Sequence, residues 1–189
     1  MWWSSDATKL VVGVFNDTEV QTYKYFLYGE AENPEYQYPK EVDLKYPKPG
    51  TPNPKVSLRL FDVTQPTAEP IVINAPIDIV SEDHILENVA WANDDTLLIT
   101  WLNRRQNKGT IYSYKPSTKE YKEIRRLEQP EGWISIGTPR CLAAGQNCLY
   151  TNWIDNWYQV WNLDLQTGEN IWSSRGEFTV LRLYGYDEI

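Results

Sequence analysis

Cys141 and Cys148 are the only cysteines and His84 the only histidine of the chain, and these three residues bound the chemistry open to it. A structural zinc site takes about four Cys or His ligands, and a serine or cysteine nucleophile needs a histidine within reach. His84 stands between Asp83 and Ile85 at the entry to an apolar run, which reads as a structural position rather than a general base. No G-x-S-x-G elbow, phosphate-cradling glycine loop or G-x-G-x-x-G occurs, so neither hydrolase nor nucleotide chemistry has its usual motif. The acid pairs Asp94-Asp95 and Glu41/Asp43 read as solvated positions rather than metal ligands. Arg104-Arg105 and Arg125-Arg126 are isolated basic pairs, expected to cover a sheet edge or to pair with nearby acids. No catalytic residue, metal or cofactor is expected, and the count argues against a self-contained enzyme.

Two covalent features remain. Cys141 and Cys148 flank Leu142 to Asn147, centred on Gly145; a connection this short brings two facing strand positions to the ~5.5 Å Cα separation a disulfide prefers. The alternative is a pair of buried free thiols. Asn16-Asp17-Thr18 is the only N-x-[ST] sequon whose middle residue is not proline, and it follows the strand-like run Leu10 to Phe15, where a turn would expose it to glycosylation.

The chain has 189 residues, 18 basic against 26 acidic side chains and a net charge of −8, with 9 Trp and 13 Tyr. So many rings bury enough apolar surface to offset chain entropy, which makes this a folded domain or part of one. The acidic balance argues against a nucleic-acid backbone as partner. No apolar run approaches the ~18 residues of a membrane span, and the N-terminus lacks the order of a signal peptide; no membrane contact by this chain is expected.

The elements that must position these residues are set by an internal repeat. Phe61-Asp62-Val63 leads to Thr67-Ala68-Glu69, Tyr112-Ser113-Tyr114 to Thr118-Lys119-Glu120, and Trp161-Asn162-Leu163 to Thr167-Gly168-Glu169. In each, apolar or aromatic residues stand six and four positions before the threonine, a period of two that puts both on one strand face. The threonines are 51 and 49 residues apart, close to the ~40–50-residue period of propeller blades. A second series, Trp3, Trp91 and Cys141, each precedes a polar turn and a further apolar run. Its steps are 88 and 50 residues, an excess of 38, which marks an insertion in the Tyr- and Pro-rich stretch from about Tyr23 to Pro54.

The fold expected is therefore all-β: a partial β-propeller of about three four-stranded blades, with an inserted Tyr/Pro-rich arm. The blades are expected at about 1–75 (arm about 23–54), 76–127 and 128–175, with the start of a further one at about 176–189. Lys119 to Gln129, rich in Lys, Glu and Arg, is read as strand and turn rather than helix because the repeat puts an outer strand there. The nine tryptophans are expected to pack between blades rather than to stack on sugars. Met1-Trp2-Trp3 opens inside what reads as a strand, as a piece of a longer protein would.

Within the insertion, Tyr36, Tyr38, Val42, Leu44 and Tyr46 share the parity of one strand face, interrupted by Lys40, and Pro39 and Pro47 bound the run. An isolated ribbon is marginal in water, so a face bearing three tyrosines needs a partner surface. The arm is expected to project as a two-stranded ribbon and serve homodimerisation; the rival reading folds it back over its own blade edge.

Residues Trp2-Trp3-Ser4-Ser5-Asp6 through Phe15-Asn16-Asp17-Thr18-Glu19-Val20 resemble a blade opening of the dipeptidyl peptidase IV family, in the prolyl oligopeptidase clan. The likeness continues in Tyr38-Pro39-Lys40-Glu41-Val42, Tyr46-Pro47-Lys48-Pro49-Gly50, Asn53-Pro54-Lys55-Val56, Asp83-His84-Ile85-Leu86, Val89-Ala90-Trp91-Ala92 and Trp101-Leu102-Asn103-Arg104-Arg105-Gln106-Asn107. The resemblance implies a secreted or membrane-anchored serine exopeptidase, in which a propeller of about eight blades caps an α/β-hydrolase domain. Such an enzyme removes N-terminal dipeptides with Pro or Ala in second position. The resemblance places the catalytic serine, aspartate and histidine beyond Ile189 and the glutamates that grip the substrate amine shortly before Trp2, so this chain alone is expected to be inactive.

It also implies a dimer contact through the arm, a sequon at Asn16, and bonded cysteines at blade positions other than Cys141 and Cys148. A Phe-Arg step that borders the substrate channel in the family follows a Gly-Trp; here Gly132-Trp133 is followed by Gly137 and Thr138 at that place, a departure from the pattern. The alternative in the same family is a catalytically silent, auxiliary or binding subunit.

Overall fold

Strand-forming alternation and short polar turns account for nearly all regular structure in the computed structural model, which describes residues 1–186. Trp2–Trp3 (β1), Lys9–Asn16 (β2), Lys55–Asp62 (β5) and Ile71–Ile73 (β6) form one antiparallel sheet in the order β1-β2-β5-β6. His84–Asn93 (β7), Thr96–Asn103 (β8), Lys108–Lys115 (β9) and Glu120–Glu128 (β10) form the second, and Arg140–Cys141 (β11), Asn147–Ile154 (β12), Trp157–Asp164 (β13) and Asn170–Trp172 (β14) the third. Thr22–Leu27 (β3) and Lys40–Lys45 (β4) pair separately. Three four-stranded sheets, sequential except where the β3–β4 pair is inserted between β2 and β5 of the first, are successive blades of a partial β-propeller. The Lys119 to Gln129 segment is indeed a strand, β10. The stretch 173–186 carries no strand, and the end of the further blade expected at about 176–189 lies outside the described residues.

Two compact units divide the chain, 15–56 and the remainder. In the larger, the middle sheet has the deepest strand. β8 is buried continuously from Thr96 to Leu102, as a central strand covered on both faces must be. Leu102, Ile111 and Leu127 of the second sheet pack with Tyr150 and Leu163 of the third and with Ile134 and Ile136 of the connection between them. Ala92 and Leu98 pack against Cys148. Polar contacts tie the first sheet to the second: Asp6 N donates to Asp94 Oδ1 at 2.9 Å, Trp91 Nε1 to the Trp2 carbonyl at 3.1 Å, and Tyr121 Oη to the Asn74 carbonyl at 3.2 Å.

The turn repeat has a backbone cause. Gly168 and Lys119, each between Thr and Glu, have φ of 74° and 58°, the left-handed region that closes a tight hairpin. At Gly168 the requirement is double, since a β-carbon there would run into the Ile124 carbonyl. The first member, Thr67-Ala68-Glu69, lacks this conformation and forms an irregular turn.

The smaller unit is a ribbon in which Tyr23 faces Leu44 and Tyr25 faces Val42. These side chains and Tyr46 share one face; the other carries Lys24, ion-paired with Glu41 and 3.6 Å from Asp43. Tyr36 departs from the expected strand parity. Asn33 caps a single 3-10 turn, Pro34–Tyr36, by accepting from Glu35 N at 3.0 Å, and Tyr38 precedes β4, whose pairing starts only after Pro39. The ring of Tyr36 lies where a β-carbon on Gly29 would be.

The two equivalent turn positions make opposite predictions. Gly168→Ala is expected to cost the full-length protein about 1–3 kcal/mol, whereas Lys119→Gly relieves a left-handed lysine and is neutral or stabilising by up to about 1 kcal/mol; urea midpoints of the two variants check both signs.

Candidate functional site

The first strands of the three sheets neighbour one another, β1 against β7 and β7 against β11. Around them gather the polar groups that the repeat itself does not require. β7 has a bulge between Leu86 and Asn88, which inserts Glu87 as an extra residue and re-aims its neighbours. Asn88 uses both ends of its amide: Nδ2 donates to the Ile136 carbonyl at 3.1 Å, and Oδ1 accepts from Thr138 Oγ1 at 2.6 Å. Gly137 N donates to the Thr151 carbonyl at 2.8 Å. The segment 136–138 is thus clamped between β7 and β12.

Gly137 is a packing requirement. A β-carbon there would collide with the Thr151 hydroxyl and sit 3.3 Å from the Thr151 nitrogen. Beside Gly137 and Thr138 opens a cavity of about 310 Å³ whose walls include Arg140, Thr151, Tyr158 and Arg182. Arg140 is oriented by its Nε bond to the Leu183 carbonyl at 3.0 Å. The local cation therefore comes from Arg140 and Arg182, neither of which sequence reasoning singled out.

Glu87 is half-buried, and burial pushes its carboxyl above the ordinary value of 4.5. Asp6 shows the reverse: bonds from the Ser4 hydroxyl and from the Thr8 amide and hydroxyl hold its carboxyl down to about 2. The other expected positions are structural in their contacts. His84 Nδ1 lies 3.1 Å from the Ser81 carbonyl and its ring meets Trp101 edge-on. Asp95 accepts from the Ser117 amide and hydroxyl. Arg104 pairs with Asp83 at 2.9 Å, Arg126 pairs with Glu123, and Arg125 donates to the Gly168 carbonyl. Among the described residues no group of His, Cys, Asp and Glu is arranged to hold a metal.

Cys141 and Cys148 are joined by a disulfide between directly opposed residues of β11 and β12, with Cα atoms 3.8 Å apart. Asn16 is exposed at the end of β2, its Oδ1 accepting from Thr18 N and Oγ1 at 3.0 and 2.6 Å. The tryptophans divide. Trp101 is fully buried and Trp161 meets Trp172 edge-on within one sheet, but Trp3, Trp133 and Trp153 are exposed, so packing accounts for only part of the set.

A family model of the dipeptidyl peptidase IV (DPP IV) N-terminal region matches residues 1–189. The chain belongs to that family. It is 43% identical over 136 residues to venom dipeptidyl peptidase 4 of Vespa velutina, covering 72% of this chain and 17% of the relative. It is 33% identical over 150 residues to prolyl endopeptidase FAP of Homo sapiens, covering 74% and 19%. Among solved structures, Porphyromonas gingivalis dipeptidyl peptidase 4 superposes with a TM-score of 0.77 at 25% identity, over 99% of this chain and 26% of that one. The chain thus spans about a sixth to a quarter of the length of these dipeptidyl peptidase IV relatives. No described helix is long and apolar enough to cross a membrane.

For Glu87 the sign of the pH effect is fixed by its raised carboxyl. The folded state holds the proton more tightly than the unfolded chain, so its contribution is intact below the ordinary carboxyl range and is lost as pH rises through the folded value. Glu87→Gln is accordingly expected to stabilise the protein at neutral pH, with a gain that vanishes below about pH 4; denaturant midpoints of variant and parent at the two pH values check it.

Proposed function

We propose that this chain is the propeller section of a dipeptidyl peptidase IV-like serine exopeptidase that removes N-terminal dipeptides with Pro or Ala in second position. The observation that carries the reading is the match of the family model over the whole of 1–189, together with relatives that are themselves dipeptidyl peptidases. In this reading the clamped Ile136 to Thr138 segment borders the peptide's route. Gly137 and Thr138 leave the wall without the ring and guanidinium of the family pattern, and Arg140 supplies the nearby cation. The Asn88 clamp favours such a role, because a wall that sorts peptides must hold its shape against them.

The β3–β4 ribbon is the homodimer arm. An exposed face formed by Tyr23, Tyr25, Val42, Leu44 and Tyr46, bounded by Lys40 at its end, with Lys24, Glu41 and Asp43 on the opposite face, suits a buried contact with a second copy. The compartment is extracellular, which fits the Cys141–Cys148 disulfide, and Asn16 carries a glycan.

Full-length protein from a eukaryotic secretory host is expected to release dipeptide from a Gly-Pro amide and to show a glycan at Asn16 by mass spectrometry. Absence of turnover in folded, glycosylated protein supports the silent-subunit reading instead. Tyr25→Asp with Val42→Asp is expected to convert the dimer to monomer in sedimentation; an unchanged mass leaves the ribbon as a cover for its own blade edge.

A further inference from the structure

At the end of the third blade opposite the disulfide hairpin, the β10–β11 connection and the β12–β13 hairpin enclose a cleft of about 600 Å³. That is within the roughly 300–1,000 Å³ of ligand pockets. Its frame is fixed by backbone bonds: Gln129 N to the Asn107 carbonyl at 2.9 Å, Ile134 N to the Gln106 carbonyl at 2.6 Å, and a bridge between Ile136 and Asn152. Two tryptophans line it, Trp133 at 70% and Trp153 at 51% exposure. Trp153 is braced on its strand partner Tyr158 at 5.3 Å between ring centroids. The hairpin closes through Asp155 and Asn156 at φ of 47° and 68°, a two-residue turn that keeps Asp155 at the rim.

The charges in this cleft are one-sided. Glu128 and Asp155 line it, no Lys or Arg does, and neither carboxylate joins an ion pair among the described residues. The two arginines of the adjoining strand are engaged elsewhere, Arg125 with the Gly168 carbonyl and Arg126 with Glu123. Lys108 stands opposite Glu128 in the β9–β10 register but does not line the cleft, and electron-rich indole faces beside carboxylates outside any such ion pair attract a cation and repel an anion. A guanidinium suits them better than an ammonium, because it stacks on a ring and forks onto a carboxylate at once and is less costly to desolvate. A neutral sugar would use the ring faces but not the two acids.

We propose that this cleft is a binding site for an arginine side chain of a polypeptide, held between the Trp133 and Trp153 rings and the Glu128 and Asp155 carboxylates. The proposal does not depend on whether the full protein is catalytically active.

The test uses full-length protein labelled with 5-fluorotryptophan, with Trp133→Phe and Trp153→Phe assigning the two fluorine resonances. The probe is acetyl-Gly-Arg-Gly-amide, whose blocked N-terminus keeps it from being an exopeptidase substrate. Saturable shifts of both resonances are expected, with binding about tenfold or more weaker for the citrulline peptide and for Glu128→Gln with Asp155→Asn. The double variant should keep the parent's thermal midpoint, since neither carboxylate makes an ion pair or side-chain hydrogen bond among the described residues. The proposal is overturned by no shift at millimolar peptide, by equal binding of the citrulline peptide, or by a neutral oligosaccharide that shifts the same resonances where the arginine peptide does not.

Discussion

Burial of β8 on both faces is the constraint on which the larger unit depends. Seven consecutive residues, Thr96 to Leu102, are buried, and Trp101 among them is fully so. A four-stranded sheet with such a central strand has no face to turn to water, so it requires a cover on each side. The third sheet supplies one through Tyr150, Leu163 and Cys148. On the other side the helical turn Ile77–Val80, whose Val80 is fully buried, lies against β8 and β9, and Trp91, Asp94 and Tyr121 add polar ties to the Trp2 carbonyl, the Asp6 amide and the Asn74 carbonyl. With both faces committed to packing, chemistry is left to the ends of the strands. The Thr138 clamp, the acidic tryptophan cleft and the turn carboxylates all lie there or at the bulge that interrupts β7.

Side-chain-to-backbone contacts at the sheet boundaries do a different task from the apolar core. Apolar layers are tolerant of sliding, whereas Asp6 N to Asp94 or Arg125 to the Gly168 carbonyl is satisfied in one register only. Gly145 and Gly168 tighten that choice, because a β-carbon at either would strike the preceding sheet, at Asn93 and Ile124 respectively. The core provides most of the free energy, and these polar and steric contacts select which of several packed arrangements it stabilises.

How much of this was legible in the sequence follows from what each signal reports. Threonines 51 and 49 residues apart carry the hairpin turns, and period-two alternation carries the strands, so the three blades, the β10 strand and the cysteine hairpin were readable. The ribbon was half readable. Val42 and Leu44 fall on one face as expected, but their partners Tyr23 and Tyr25 in β3 were not foreseen as a strand, and Tyr36 belongs to a capped turn because Pro34 and Asn33 favour one. The tryptophan reading failed in part for a plain reason. Aromatic residues in strand register look alike whether the strand end is covered or bare, and only the path of the 129–139 connection leaves Trp133 and Trp153 open. Glu87 and Asn88 were invisible because a bulge has no signature in side-chain type.

Gly137 marks where residue-by-residue transfer of a family pattern stops being a physical argument. Read as a sequence position, it is a missing aromatic ring. In the structure it lies against β12, where the Thr151 hydroxyl occupies the volume a side chain would need. A backbone drawn this close can be followed only by a glycine, and the guanidinium of this neighbourhood then comes from Arg140, whose Nε is held by the Leu183 carbonyl. What this cavity presents is set by where charge and bulk lie in space, and here a tight backbone path at Gly137 and an arginine at a later position together fix both.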